Sequence, residues 1–325
     1  MFRYAISRIL WAIPSIFGIL VIAFVLTHVI PGDPVQALIG NFPAPPGYAD
    51  QIRHLFGLDQ PLYVQFWLYF VNLGHGDLGF SFAYQEPVMT LLLERSRFTL
   101  LLMIPALVAS SLAGIGLGLL AAQRAGSAAD VGVTAISIAG ASVPVFWLAQ
   151  LLVIVFAVSL GVLPAEGITN VTESQSGLGL IGSYLQHLIL PGFTLTVAYM
   201  AIVARVARSS VLEAFQQDYV LTARAKGLTQ SQVLWRHVLN NGLIPVITVI
   251  GFNFGYALTG AILTETVFGW PGLGGLFITS VNNRDYPVLE GIFLFTAVSV
   301  VVANLLTDLL YVVVDPRIRR SYARR

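Results

Sequence analysis

The 325-residue chain is 56% apolar and only 10% charged, with a mean hydropathy of +0.80, which excludes the polar surface of an ordinary soluble domain. Its net charge of +1 is uninformative as a sum, and the lack of cysteine removes disulfide frameworks, thiolate nucleophiles and iron–sulfur ligation. The chain reads as an all-α integral membrane protein whose apolar runs leave no room for a separate soluble domain.

A helix needs about 20 apolar residues to cross the hydrocarbon. Six stretches qualify or nearly so: 9–30, 98–122, 131–159, 188–204, 242–264 and 291–313. The first is longer than a signal-peptide core and lacks a small-x-small cleavage site, so it is read as the first membrane helix. The third contains Pro144 and is expected to tilt or kink. The fourth is short, with Arg205 and Arg208 placed to snorkel at its end. Lys and Arg concentrate in cytoplasmic loops, and an N-terminus inside puts all of them there except Arg53, Arg95, Arg97 and Arg284. Both termini are then cytoplasmic, and 31–97 is a large outer segment.

Within that segment Pro31-Gly32-Asp33-Pro34 and Pro43-Ala44-Pro45-Pro46-Gly47 are turn signals around short ordered pieces, and 61–71 has a helical pattern. A second polar island, 205–241, lies between apolar runs. It holds the only lysine, Lys226, followed by Gly227 and then by Thr229-x-x-Gln232. This order predicts a helix closed by a glycine cap and a second helix opened by a capping box.

The run Asp218-Tyr219-Val220-Leu221-Thr222-Ala223-Arg224-Ala225-Lys226-Gly227-Leu228 resembles the cytoplasmic EAA loop of ABC importer permeases, in the form found in the dipeptide/oligopeptide permease family. Further signatures similar to that family follow in its order: Ile13-Pro14, Gly57-Leu58-Asp59-Gln60-Pro61, Gly76-Asp77-Leu78-Gly79-x-Ser81 and Leu163-Pro164-x-x-Gly167. Glu265-x-Val267-Phe268-x-x-Pro271-Gly272-Leu273-Gly274 and Asp315-Pro316-Arg317-Ile318-Arg319 complete the set, so the resemblance covers essentially the whole chain. It departs at Leu221, where the loop's opening glutamate aligns, and at Asn240, where its later proline aligns.

The resemblance implies a six-helix type I ABC importer permease fold in one domain, 1–325, with 31–97 extracytoplasmic and 205–241 as the coupling loop. In that family the loop sits in a groove of the ATP-binding subunit and passes its movement to the membrane helices. The role would fall to Glu213, Ala214, Asp218, Tyr219, Thr222, Ala223, Arg224, Ala225, Lys226, Gly227 and Leu228. Implied partners are a second homologous permease, two ATP-binding subunits carrying ATP and Mg, an extracytoplasmic binding protein and membrane lipid, with no nucleic acid. The location implied is a bacterial or archaeal inner membrane. Di- or oligopeptides are the leading substrate class, and the family also includes permeases for nickel, glutathione and oligosaccharides.

The chemistry missing from the residues agrees with a subunit powered from outside. A Walker A loop ends Gly-Lys-Ser/Thr, whereas here the sole lysine precedes its glycine. No catalytic residue, metal ligand set or cofactor is expected: the five histidines are scattered without a helical metal pair, and Gly177-x-Gly179-x-x-Gly182 has no strand before it. Hydrocarbon penalises polar side chains, which makes Asn253, Tyr256, Thr259, Asn304 and Asp308 candidates for a translocation path. An ion-coupled secondary carrier is the alternative, with Asp308 as the one Asp, Glu, Lys or Arg within the six stretches. Gly114 and Gly118, four apart, are read as a helix-packing face.

Overall fold

The computed structural model describes residues 2–29, 35, 39, 45–55, 57–81, 83–169, 177–255, 257 and 262–314. The turn signal at 31–34, Pro43 and Ala44 of the second turn signal and the motif at 315–319 lie outside the described residues. Among the described residues every regular element is helical: α1 (Phe2–Val29), α2 (Tyr48–Leu55), α3 (Leu62–Gly74), α4 (Val88–Gln123), α5 (Ala128–Ser142) and α6 (Val145–Leu152), which continues as a π-helical turn, Val153–Ser159. After these come α7 (Leu178–Phe215), α8 (Asp218–Ala225), α9 (Gln230–Val233), a π-helical turn (Leu234–Val238), α10 (Leu239–Gly242), α11 (Ile244–Gly255), α12 (Ile262–Val267), α13 (Leu273–Asn283) and α14 (Tyr286–Val314).

The apolar stretches of the sequence map onto these helices, but not all as straight spans. α4, α7 and Tyr286–Leu305 of α14 are each long and apolar enough to cross a membrane, and Ile13–Val29 is a shorter apolar helix. The other two stretches are bent pairs: Ala128–Ser142 with Val145–Ser159, turned by 97°, and Gln230–Gly242 with Ile244–Gly255, turned by 49°. The first break is far sharper than a tilt. Pro144 has no N–H to give and forces Val143 out of the helical region, to φ −76° and ψ 123°. The fourth span is likewise a correction: it lengthens from 188–204 to a helix of 38 residues that continues into the polar island.

The described chain clusters into two compact units, one built from 100–270 and 300 onward, the other from 2–99 and 271–299. In the first, α4 lies directly on α7. A Cβ at Gly114 would stand 2.7 Å from Val203 Cβ, and one at Gly118 2.5 Å from Ala207 Cβ, so the glycine pair is the packing face its spacing predicts. The Leu163–Gly167 and Glu265–Gly274 signatures meet here too, with the Gly167 N–H donating to the Phe268 carbonyl at 2.9 Å. Phe268 packs with Ala149 and Leu190.

In the second unit α3 packs on α1 through edge-to-face pairs, Phe17 with Phe70 at 5.7 Å and Phe24 with Phe66 at 5.2 Å. The Gly76–Ser81 signature is tied to the start of α14. Buried Asp285 accepts hydrogen bonds from Ser81 Oγ at 2.5 Å and from the Ala83 N–H at 3.0 Å. Gly291 lets α14 approach α4, since a Cβ there would lie 2.6 Å from Val88 Cγ1.

Candidate functional site: the loop at Gly227 and an outer-segment cavity

α7 ends at Phe215, and Asp218 opens α8 with a carboxylate in its first turn, where the helix dipole favours it. The helix closes as predicted. Gly227 adopts φ +80°, its N–H donates to the Arg224 carbonyl at 2.9 Å, and the Leu228 N–H reaches Ala223 at 3.4 Å. The capping box is complete: the Thr229 N–H donates to Gln232 Oε1 at 3.0 Å, and the Gln232 N–H donates to Thr229 Oγ1 at 3.4 Å.

One face of this loop is core. Ala214, Val220, Ala223, Val233, Leu234, Val238 and Leu239 are buried together with Ala122 and Val211, so the loop is packed onto the ends of α4 and α7. A helix fixed this way moves with the helices beneath it. The opposite face is open: Glu213, Asp218, Tyr219, Thr222, Arg224, Ala225, Lys226 and Gly227 are exposed, and Leu228 is half-buried. Ala214 and Ala223 therefore serve the inner face. Two large apolar side chains stand on the open surface, Leu221 at 58% and Trp235 at 65% exposure; Leu221 is the departure noted in the sequence, and Trp235 is not singled out there. The signal was available, since a large apolar residue within a polar island has no local reason to stay in water.

A second device missed in the sequence joins α5 to α7. Arg208 does not snorkel freely; its Nε and Nη2 both donate to the Asp130 carboxylate, the second at 2.8 Å. Asp130 also accepts the Gly126 N–H at 2.9 Å, which ties in the turn before α5.

Of the path candidates, Asn253 is buried on α11 and Asn304 is exposed on α14. α11 and α14 touch where Gly251 faces Thr307 and where a Cβ on Gly255 would lie 3.4 Å from Ala303 and 3.8 Å from Asn304 Oδ1. Asn253, two residues from each glycine and so about 200° round the helix, points away from this contact. Tyr256, Thr259 and the Asp308 side chain lie outside the described residues.

The second unit contains a cavity of about 580 Å³. Two sequence signatures wall it, Gly57–Gln60 and Asp77–Gly79, together with Phe24 and His28 of α1, Tyr69 of α3 and Glu290 of α14. At its rim His54 Nδ1 lies 2.9 Å from Asp59 Oδ2, and this hydrogen bond holds the Asp59 carboxyl below its usual range.

Comparison with known proteins gives this arrangement a family. Residues 114–320 match the model for the binding-protein-dependent transport system inner membrane component, and 1–103 match the N-terminal model of the same membrane components. The di/tripeptide transport system permease protein of Pseudomonas aeruginosa is 40% identical, over 99% of this chain and 100% of that one. The dipeptide transport system permease protein of Escherichia coli K12 is 38% identical over the same shares, and the glutathione transport system permease protein of that strain is 39% identical over 98% and 99%. Among solved structures, an inward-facing methionine ABC transporter shares the fold with a TM-score of 0.55 at 17% identity, covering 70% of this chain and 97% of that one. An amino acid ABC transporter matches at a TM-score of 0.50, 17% identity, and 68% and 93% coverage. The chain belongs to the family of inner-membrane components of binding-protein-dependent transport systems.

Proposed function

We propose that the chain is one permease subunit of an ATP-driven importer for short peptides. It pairs with a second homologous permease, and one ATP-binding subunit docks on the Gly227 loop of each. An extracytoplasmic binding protein delivers the substrate. ATP and Mg act on the docked subunits, and no ATPase site resides in this chain. All 325 residues serve one permease domain, with termini and 205–241 in the cytoplasm and 31–97 outside.

The observation that supports coupling at this loop is its two-sidedness. Val220, Ala223 and Val233 lock it to the helix ends, while Tyr219, Leu221, Arg224 and Trp235 are left open for a partner. Movement of a docked subunit would pass to α4 and α7 as a rigid-body shift. The peptide assignment rests on the peptide permeases at 38–40% identity, and the glutathione permease at 39% supports glutathione, itself a short peptide, as the second reading.

The test is uptake into proteoliposomes holding this chain, its neighbouring permease, both ATP-binding subunits and the binding protein. Labelled dipeptide should accumulate only with ATP inside the compartment of the ATP-binding subunits. Uptake driven by an ion gradient without ATP would replace the importer with a secondary carrier, and uptake of glutathione alone would replace the substrate.

A further inference from the structure

The cavity of the second unit contains an under-coordinated acid. Glu290 is 5% exposed, and its Oε1 accepts one hydrogen bond, from Thr27 Oγ1 at 3.0 Å. A carboxylate can accept about four. Among the described residues the basic group close to it is His28, whose Nδ1 lies 3.9 Å from Oε1 and is already 2.8 Å from the Phe24 carbonyl; His28 Nε2 faces Gln65 Oε1 at 3.2 Å. On the same cavity the Tyr69 hydroxyl is buried without a hydrogen-bond partner among the described residues. Asp77 adds a second carboxylate, and no Lys or Arg is among the described lining residues.

These groups define what fits. A buried carboxylate with a single neutral donor is costly, and an incoming cation with several N–H groups relieves that cost. An anion meets two carboxylates and no fixed positive charge. A bare metal ion lacks its ligand set, since no group of three or more His, Asp or Glu side chains among the described residues could hold one. A primary ammonium offers three donors, enough for Glu290 and the Tyr69 oxygen together, and the Phe24, Leu58 and Leu68 side chains among the lining give an attached carbon body apolar surface to meet.

We propose that this cavity is a binding site for the ammonium group of a primary amine with a short apolar body, seated on Glu290 and Tyr69. The peptide-import reading supplies the source, the amino-terminal end of a short peptide. The ammonium recognition itself stands on the cavity alone.

The experiment is a ligand-observed NMR titration of the full chain in lipid nanodiscs with butylammonium, Ala-Phe, N-acetyl-Ala-Phe and tetramethylammonium. Butylammonium and Ala-Phe should bind saturably and compete, while the acetylated peptide and tetramethylammonium, which lacks N–H donors, bind at least about tenfold more weakly, the cost of losing a charge-assisted hydrogen bond. Glu290→Gln should weaken both binders by about tenfold or more, and Tyr69→Phe by a smaller factor. Should Glu290→Gln fail to fold, Tyr69→Phe and the contrast between Ala-Phe and its acetylated form on the parent chain carry the test. Equal binding of the acetylated peptide, absence of saturable amine binding, or binding unchanged in the folded variants would overturn the proposal. Nα-acetyl-lysine amide separates the sources: a preference for it over Ala-Phe assigns the ammonium to a lysine of a docked protein rather than to a peptide terminus. Amine binding without dipeptide uptake by the complex would leave this site standing and reject the import reading, and uptake without amine binding would do the reverse.

Discussion

Arg208 of α7 holds Asp130 of α5 in a forked, two-hydrogen-bond ion pair, and the same carboxylate caps the turn at Gly126. Two planar groups matched in this way fix the relative rotation of the helices that carry them. The pair sits on the helix that leads into the Gly227 loop, so under the proposed docking it would brace the element that a partner moves.

Breaking half of this pair should be worse than removing both charges. Asp130→Asn leaves the guanidinium, whose side chain is 32% exposed, without its counter-charge, whereas Asp130→Asn combined with Arg208→Met removes the mismatch. Thermal unfolding in detergent should show the single variant melting below the double variant. If the two melt together below the parent, the hydrogen-bond geometry rather than the charge carries the stability.

The glycines of α4 offer a sharper contrast. A Cβ at Gly118 would meet Ala207 Cβ at 2.5 Å and the Ala204 carbonyl at 2.7 Å, while nothing lies within 4 Å of one at Gly116. Gly118→Val should destabilise by about 1–3 kcal/mol through overpacking. Gly116→Ala should be neutral or gain up to about 1 kcal/mol from helix propensity. Denaturation of the two purified variants against the parent decides it; equal midpoints would mean that the α4–α7 contact can open at no cost.

These two helices also show how much the sequence discloses. The i, i+4 spacing of Gly114 and Gly118 and the order Lys226-Gly227-Thr229-x-x-Gln232 are local patterns with local causes, and both appear in the structure as the sequence predicts. The Arg208–Asp130 pair joins residues 78 positions apart, and the cavity brings Thr27 onto Glu290 across 263 positions. Periodicity within one helix cannot encode which other helix it meets. The 97° break at Pro144 lies between these cases, since proline marks the place but packing sets the angle.

Orientation is testable on a single helix. α7 has 38 residues, about 57 Å at 1.5 Å per residue, more than the roughly 40–45 Å of a bilayer with its headgroups. Leu178, 86% exposed at its start, and exposed Ser231, beyond its end, should therefore lie on opposite sides. Cysteine placed singly at each in this cysteine-free chain should react with an impermeant maleimide in intact cells at 178 and only after permeabilisation at 231. The reverse pattern inverts the topology.

The loop itself separates stability from coupling. At Gly227 an added side chain meets no atom within 4 Å, so the cost of Gly227→Leu is backbone strain at φ +80°, about 1–2 kcal/mol, confined to the turn. The buried face at Val220, Ala223 and Val233 remains in place, and the chain should insert in normal amount. Trp235→Ala removes a side chain that is 65% exposed and should leave the stability within about 0.5 kcal/mol of the parent. Under the proposed docking both substitutions cut uptake, but at different steps. Trp235→Ala should lower ATP-binding-subunit affinity by about tenfold or more, as loss of a buried aromatic anchor does. Gly227→Leu should retain part of the binding and lose stimulation of ATP hydrolysis by loaded binding protein. Pull-down and ATPase assays on the reconstituted complex distinguish the two, with exposed Gln230→Ala as the control. Normal uptake by both variants with the ATP-binding subunits bound would move the coupling surface away from this face of the loop.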